Sequence, residues 1–306
     1  MENKERQWLK KTGNRIIQSD SEDFPELLQR ITDPPSLLYI VGNADALHMP
    51  ALSIVGSRNP TRGGKENAYE FARHLGQCGF CIVSGLALGI DTSAHEGALD
   101  AGAMTVAFLG HGIDRVYPAA NRDLAHRISQ NGVLVSEYPL GSPPRREHFP
   151  QRNRLISGLS LGTLVVEAAR RSGSLITART AGEQGREVFA IPGSIHNPLS
   201  RGCHQLIKQG AKLVESAEDI VSELGALVGH LMQNDSDIEH HDFDNSEHDN
   251  DYDILLKVLS YDPASADELA ENSGLTIDQV SSMLLILELE EKVEALSGGK
   301  YLMRKK

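Results

Sequence analysis

Seven short apolar runs stand out against a polar background in the middle of the chain, at residues 52–55, 81–83, 104–109, 133–135, 163–166, 188–191 and 212–214. They lack polar alternation and favour β-branched residues, the pattern of strands covered on both faces. The segments between them have helical length and polarity. The reading is α/β: an extended Rossmann-like, doubly wound parallel sheet over residues 51–224. Ahead of it, residues 1–50 carry amphipathic patches at Trp8-Leu9 and from Phe24 to Leu28, then a Pro34-Pro35 break, and predict a short helical leader. Behind it, residues 252–306 predict three helices and a hairpin in winged-helix order. Ser265 and Thr276 serve as N-caps, Gly274 stops a helix, and Gly298-Gly299 turns between runs at 293–296 and 301–303.

The chain has 306 residues, 40% hydrophobic and 24% charged, enough for about two globular domains. No stretch approaches the ~18–20 apolar residues of a membrane helix, and residues 1–11 are too polar for a signal peptide, so a cytoplasmic protein without membrane contact is expected. Three cysteines, Cys78, Cys81 and Cys203, make no disulfide framework. Cys78 and Cys81 spell C-x-x-C, but no second Cys or His pair at zinc spacing accompanies them, and the reading is buried core rather than a metal or redox centre.

Charge is unevenly placed. The net charge is −12, yet residues 1–232 hold 24 bases and 24 acids. Residues 233–253 hold nine acids and no Lys or Arg, and residues 254–306 nine acids against six bases. With few apolar residues, 225–251 predicts a flexible acidic linker between two domains. His240, His241 and His248 within that stretch suit a solvated tether better than a metal site. Residues 145–186 reverse the bias, with eight arginines against Glu147, Glu167 and Glu183. Arg outnumbers Lys eighteen to six over residues 1–232, and its planar fork suits phosphates and stacked bases.

In a doubly wound sheet, ligands bind beyond the carboxyl ends of the strands. The residues there are Gly56-Ser57-Arg58 after the first run, Ser84-Gly85 through Asp91 after the second, Gly110 through Asn121 after the third and Glu167 through Ser174 after the fifth. Pro192-Gly193-Ser194 follows the sixth. Their glycines and helix starts suit a phosphate-bearing ligand. Neither G-x-G-x-x-G after the first run nor a Walker-type loop is present, which weighs against NAD and ATP; no cofactor is expected. The loop at 141–154, GSPPRREHFPQRNR, sets Arg145, Arg146, Arg152 and Arg154 around Phe149. Two readings stay open: a cationic track with a stacking platform for single-stranded nucleic acid, or a core plug with arginines that cap helices or pair with Glu137 and Glu167.

The blocks GSR at 56–58, SGLALGIDTSAH at 84–95, YPAAN at 117–121, SEYP at 136–139, FPQRNRLISGLS at 149–160, VVEAARRSGSLITA at 165–178, IPGS at 191–194 and GCHQLIKQGA at 202–211 closely resemble the DNA-processing protein A (DprA/Smf) family, in the family's order. The resemblance implies single-stranded DNA binding without catalysis, protection of incoming strands in natural transformation, RecA loading and a homodimer. It places Arg58, Arg145 and Arg146 on phosphates, Phe149 on a base, and Arg152 and Arg154 along the same groove. Gly56, Ser57, Arg122, Ser174 and Arg179 complete the expected DNA-contacting set. Ser84, Gly85, Asp91, Glu167 and Gly193 are expected to shape the strand-end turns, Asp91 as an N-cap. Three positions depart from the usual pattern: His111 within a Gly-Gly pair, His204 in place of Asn, and Ala119 in place of a basic residue, for which Arg122 is the substitute. The third C-terminal helix carries four acids and no Lys or Arg, which argues for a protein-interaction role over duplex binding. Two alternatives use the same sheet edge: a nucleotide N-glycosidase with Glu167 as general base, or a mononucleotide sensor.

Overall fold

The computed structural model describes residues 3–224 continuously and, further on, residues 255, 258, 259, 264–277, 280, 283, 284, 287, 293–296 and 300–303. The chain divides into two compact units, Met1–Asn234 and Asp235–Lys306. The acidic stretch at 233–253, with its three histidines, lies outside the described residues.

The first unit contains strands β1 (Asn14–Gln18), β2 (Leu37–Gly42), β3 (Ala51–Val55), β4 (Cys81–Ser84), β5 (Thr105–Leu109), β6 (Val133–Ser136), β7 (Gly162–Val165), β8 (Glu187–Ala190) and β9 (Lys212–Leu213). Its helices are α1 (Asn3–Trp8), α2 (Glu26–Gln29), α3 (Arg62–Gln77), α4 (Ile90–Asp100), α5 (Arg122–Asn131), α6 (His148–Gly158), α7 (Gly173–Glu183) and α8 (Arg201–Lys208). The strands form one sheet in the order β1-β2-β6-β5-β4-β3-β7-β8-β9. Each of the seven apolar runs is a strand, β3 through β9, and neighbours among them pair in parallel.

Successive residues of a strand face opposite layers. Val106 and Phe108 join the core that also holds Leu28 of α2, Leu155 of α6 and Ala178 of α7. Ala107 and Leu109 pack with Leu124 and Ile128 of α5, while Leu52 and Ile54 pack with Phe71 and Leu75 of α3 and Ala94 of α4. The sheet is therefore covered on both faces, as its uninterrupted apolar runs require. The chain moves outward from β3 to β6 and then returns to β7 on the other side of β3, so the switch in winding direction falls between β3 and β7.

The leader corrects the sequence reading. Beyond α1 and the single turn of α2, residues 1–50 contribute β1 and β2, antiparallel to each other, with β2 antiparallel to β6. The run Leu38-Tyr39-Ile40 is buried because it lies between two strands and closes the β6 edge, which would otherwise present unpaired backbone.

In the second unit, α9 (Ala266–Ser273) starts at a capping box and ends at Gly274 with φ +73°. In that box Ser265 Oγ accepts from Glu268 N at 3.2 Å, and Glu268 Oε2 accepts from Ser265 N at 2.8 Å. Strands β11 (Val293–Leu296) and β12 (Lys300–Met303) make the expected hairpin, and β10 (Ala264–Ser265), not foreseen, pairs with β12. Leu255, Leu269, Val280, Leu284 and Val293 share its core.

Candidate nucleic-acid interface

Three strand ends bring one cluster together. Arg58 follows β3, Tyr117 lies in the loop after β5, and Phe149 stands in the first turn of α6, reached by the loop after β6. The guanidinium carbon of Arg58 lies 5.6 Å from the centre of the Phe149 ring. Tyr117, 48% exposed, sits 5.8 Å from the same ring at 41°. Gly110, directly after β5, makes room for this: a Cβ there would lie 3.0 Å from Phe149 Cδ1. His148 donates toward the Gly110 carbonyl at 3.2 Å and stacks on Tyr138 at 4.1 Å, which fixes the turn that presents Phe149. Burial pushes the Tyr138 hydroxyl up to about 12.

Behind Tyr117, His111 is buried, with its ring edge-on to the tyrosine at 6.4 Å. Burial holds His111 below the ordinary histidine range. Tyr117 is the site residue that sequence reasoning missed. Its signal was an aromatic in the Gly110–Asn121 loop beyond a strand's carboxyl end, within the YPAAN block, whose one expected contact lay at position 119.

The cations divide sharply. Arg58, Arg122, Arg145 and Arg146 are exposed, and none is in an ion pair with a carboxylate among the described residues. Arg152 and Arg154 do not line the groove. Arg152 is 3% exposed and donates through one nitrogen to the Gly85 carbonyl at 2.7 Å and to the Phe108 carbonyl. Burial lowers it to about 10, opposed by Asp91. Arg154 is held by both Glu137 oxygens, at 2.9 and 2.6 Å, and by Asp33 at 3.2 Å. Burial pulls Arg154 down, but these two carboxylates outweigh it and raise it. Pairing with Glu137 therefore holds for Arg154, while Arg152, pointing from a different side of α6, neither caps a helix nor meets Glu137 or Glu167 but satisfies two strand-end carbonyls.

Ser174 is buried and bonds locally to Ser172 Oγ at 2.6 Å. Arg179 lines a different cleft, with Arg170 and Arg171, between α7 and α8. Neither contacts the Arg58 cluster in any interaction the structure gives.

The turn-shaping residues behave structurally. Ser84 Oγ donates to the Ile54 carbonyl at 2.7 Å, and Ser57 Oγ accepts from Asn59 N at 3.1 Å. Asp91 is not the N-cap expected from the sequence, a position Gly89 takes; buried in the first turn of α4, it reaches back to the preceding loop, where its Oδ2 accepts from Gly85 N at 3.1 Å and Ala87 N at 3.2 Å. Burial raises Asp91, opposed chiefly by Arg152. Gly56 packs against Ile90 and the Glu167 carbonyl, and Gly193 against Ser200 and His204.

At the switch between β3 and β7, where a Rossmann sheet would seat a phosphate on a helix N-terminus, the protein places its own carboxylate. Glu167 Oε2 accepts from Thr61 N at 2.9 Å, and Oε1 from Thr61 Oγ1 at 2.6 Å. Glu167 pairs with neither Arg154 nor Arg171. Of the cysteines, Cys81 and Cys203 are buried, and burial pushes Cys81 up to about 12; Cys78, expected in the core, is exposed at the end of α3.

Sheet order, an exposed arginine over an aromatic ring and a self-filled switch point define a Rossmann-type protein that exposes arginines beyond the carboxyl ends of its strands. Comparison with known proteins gives the family: the model for DNA recombination-mediator protein A matches residues 15–225, and that for the DprA winged helix domain matches residues 240–299. The chain belongs to the DprA/Smf family. Protein Smf of Escherichia coli K12 is 42% identical over 97% of this chain and 80% of its own length. The structure of DNA processing protein A from Streptococcus pneumoniae matches with 45% identity and a TM-score of 0.67, covering 69% of this chain and 75% of that one. The Helicobacter pylori protein, described for its single-stranded DNA binding mode, matches with 32% identity and a TM-score of 0.63, covering 69% and 95%. Among the described residues, no helix is long and apolar enough to cross a membrane.

Proposed function

We propose that this protein binds single-stranded DNA across the carboxyl edge of its sheet, without catalysis, and as a homodimer hands the strand to RecA during natural transformation. The observation that carries the binding reading is the exposed Arg58 guanidinium over Phe149, with Tyr117 beside it. Arg58, Arg145 and Arg146 neutralise phosphates, Arg122 adds a further cation, and the two rings offer π-faces to unpaired bases. The relation to the Helicobacter pylori protein supports the choice of ligand. The nucleotide-hydrolase alternative needs a free carboxylate, and Glu167 has both oxygens engaged by Thr61. RecA loading and the homodimer rest on family membership alone.

Fluorescence anisotropy with labelled oligo-dT and with a duplex of equal length tests the reading. Arg58→Ala, Phe149→Ala and Tyr117→Ala should each weaken single-strand binding, the aromatic changes by about 1–3 kcal/mol per lost stacked base. The full chain should prefer the single strand. Wild-type affinity in all three variants would remove the groove.

A further inference from the structure

A cavity of about 560 Å3 opens on the side of Arg58 bounded by α3 and α4, within the about 300–1,000 Å3 range of small-ligand sites. Arg58 lines it and also lies over Phe149, so cavity and aromatic cluster share one side chain. We infer that this cavity takes the nucleotide adjoining the one at Phe149, with Lys65 as its phosphate contact and Leu88 as its apolar wall. The inference rests on the single-strand reading above and extends it to a second, adjoining subsite.

The chemistry of the lining supports a polymer link. Its charged groups are Arg58, Lys65 and Glu96, a net charge of +1, which balances the single charge of a phosphodiester. Arg58 and Lys65 are exposed, and neither is in an ion pair with a carboxylate among the described residues. Lys65 stands in the first turn of α3, where the Thr61 N–H at the N-cap already donates to Glu167 and the Gly64 N–H to Thr61 Oγ1, and its exposed side chain adds a charged donor beyond these committed amides. Leu88 is 43% exposed in the loop before α4 and gives the cavity an apolar surface of the kind a base can rest on. That loop is rigid: buried Asn121 donates to the Leu86 carbonyl at 2.9 Å and to Thr92 Oγ1 at 3.0 Å, and Thr92 donates to the Ala87 carbonyl at 2.8 Å.

Lys65 is exposed, so its replacement leaves the core untouched. The full chain carrying Lys65→Ala, Lys65→Glu, Lys65→Arg or Leu88→Ala would be titrated with oligo-dT over a series of salt concentrations, beside Arg58→Ala. Losing one phosphate contact on a single strand reduces the log–log salt slope by about 0.7, about fourfold in affinity at 0.15 M salt. Lys65→Ala should show that change, Lys65→Glu a larger one, and Lys65→Arg the wild-type slope. Leu88→Ala should lower affinity at unchanged slope, because it touches no phosphate. Wild-type affinity and slope in Lys65→Ala and Lys65→Glu, with binding lost in Arg58→Ala, would overturn this subsite and leave the groove standing. Unchanged binding in Arg58→Ala as well would overturn the underlying reading.

Discussion

Arg152 and Arg154 stand two positions apart on one helix and illustrate how a cation's role is set by what it meets. A guanidinium aimed into strand-end carbonyls serves the fold, whereas Arg58, three residues beyond a strand, remains free to meet a ligand. The same logic applies to His95, buried in α4. Thr105 Oγ1 gives its one proton to the Ile82 carbonyl at 2.6 Å, so it accepts from His95 Nδ1–H at 2.7 Å. That leaves His95 Nε2 as a buried lone pair without a partner. Protonation would put a charge there, near Arg152, and burial accordingly lowers His95 from 6.5 to about 3. In the unfolded chain His95 binds a proton below about pH 6.5, and in the folded chain only near pH 3, so stability is lost as pH falls through that window. Each pH unit costs about 1.4 kcal/mol, about 2 kcal/mol between pH 7.5 and 5.0. Buried His111 adds in the same direction. Trp8, the single tryptophan, is buried against Tyr39 and reports unfolding of the first unit. Urea titrations followed by its fluorescence should show the loss in the wild type and a shallower dependence in His95→Gln. Equal pH dependence in the two would refute the assignment.

At the scale of elements, α3 is tied to β7 by Glu167, which stands where a bound phosphate would complete the helix N-terminus. Glu167→Gln puts an amide donor against one of two Thr61 donors and should cost about 1–3 kcal/mol of stability, read by the same unfolding assay. Single-strand affinity should stay at the wild-type level, and a lost affinity would make Glu167 a ligand residue instead. This contact also marks where sequence reading stops. The seven parallel strands were legible because two-sided burial leaves an unbroken apolar run, and α9 was legible from Ser265 and Gly274. β1 and β2 were not, because Leu37–Gly42 is one run near two prolines, and its place beside β6 is a tertiary fact. Phe149 and Arg58 could be placed at strand ends from spacing alone. Which arginines of the 145–154 loop turn inward could not, because Glu137 and Gly85 are distant in sequence from Arg154 and Arg152, respectively.

For the whole molecule, charge raises the sharpest question, since a chain of net charge −12 is proposed to bind a polyanion. The excess acid lies entirely beyond residue 232, and the first unit, with its own three cores, is neutral overall and carries the exposed arginines at its sheet edge. Screening decides how far the acidic part acts: the Debye length is about 8 Å at 0.15 M salt and about 30 Å at 0.01 M. A chain ending after Asn234 should therefore bind oligo-dT with the full chain's affinity at 0.15 M salt. At 0.01 M it should bind more tightly, because the repulsion removed is long-ranged. Both forms should keep a similar salt slope above 0.1 M, since the slope counts phosphate contacts, about 0.7 for each, and the contacts stay with the first unit. A truncated chain that folds by Trp8 fluorescence but has lost affinity and slope at 0.15 M would move the DNA contacts to the second unit, and the sheet edge would no longer account for binding.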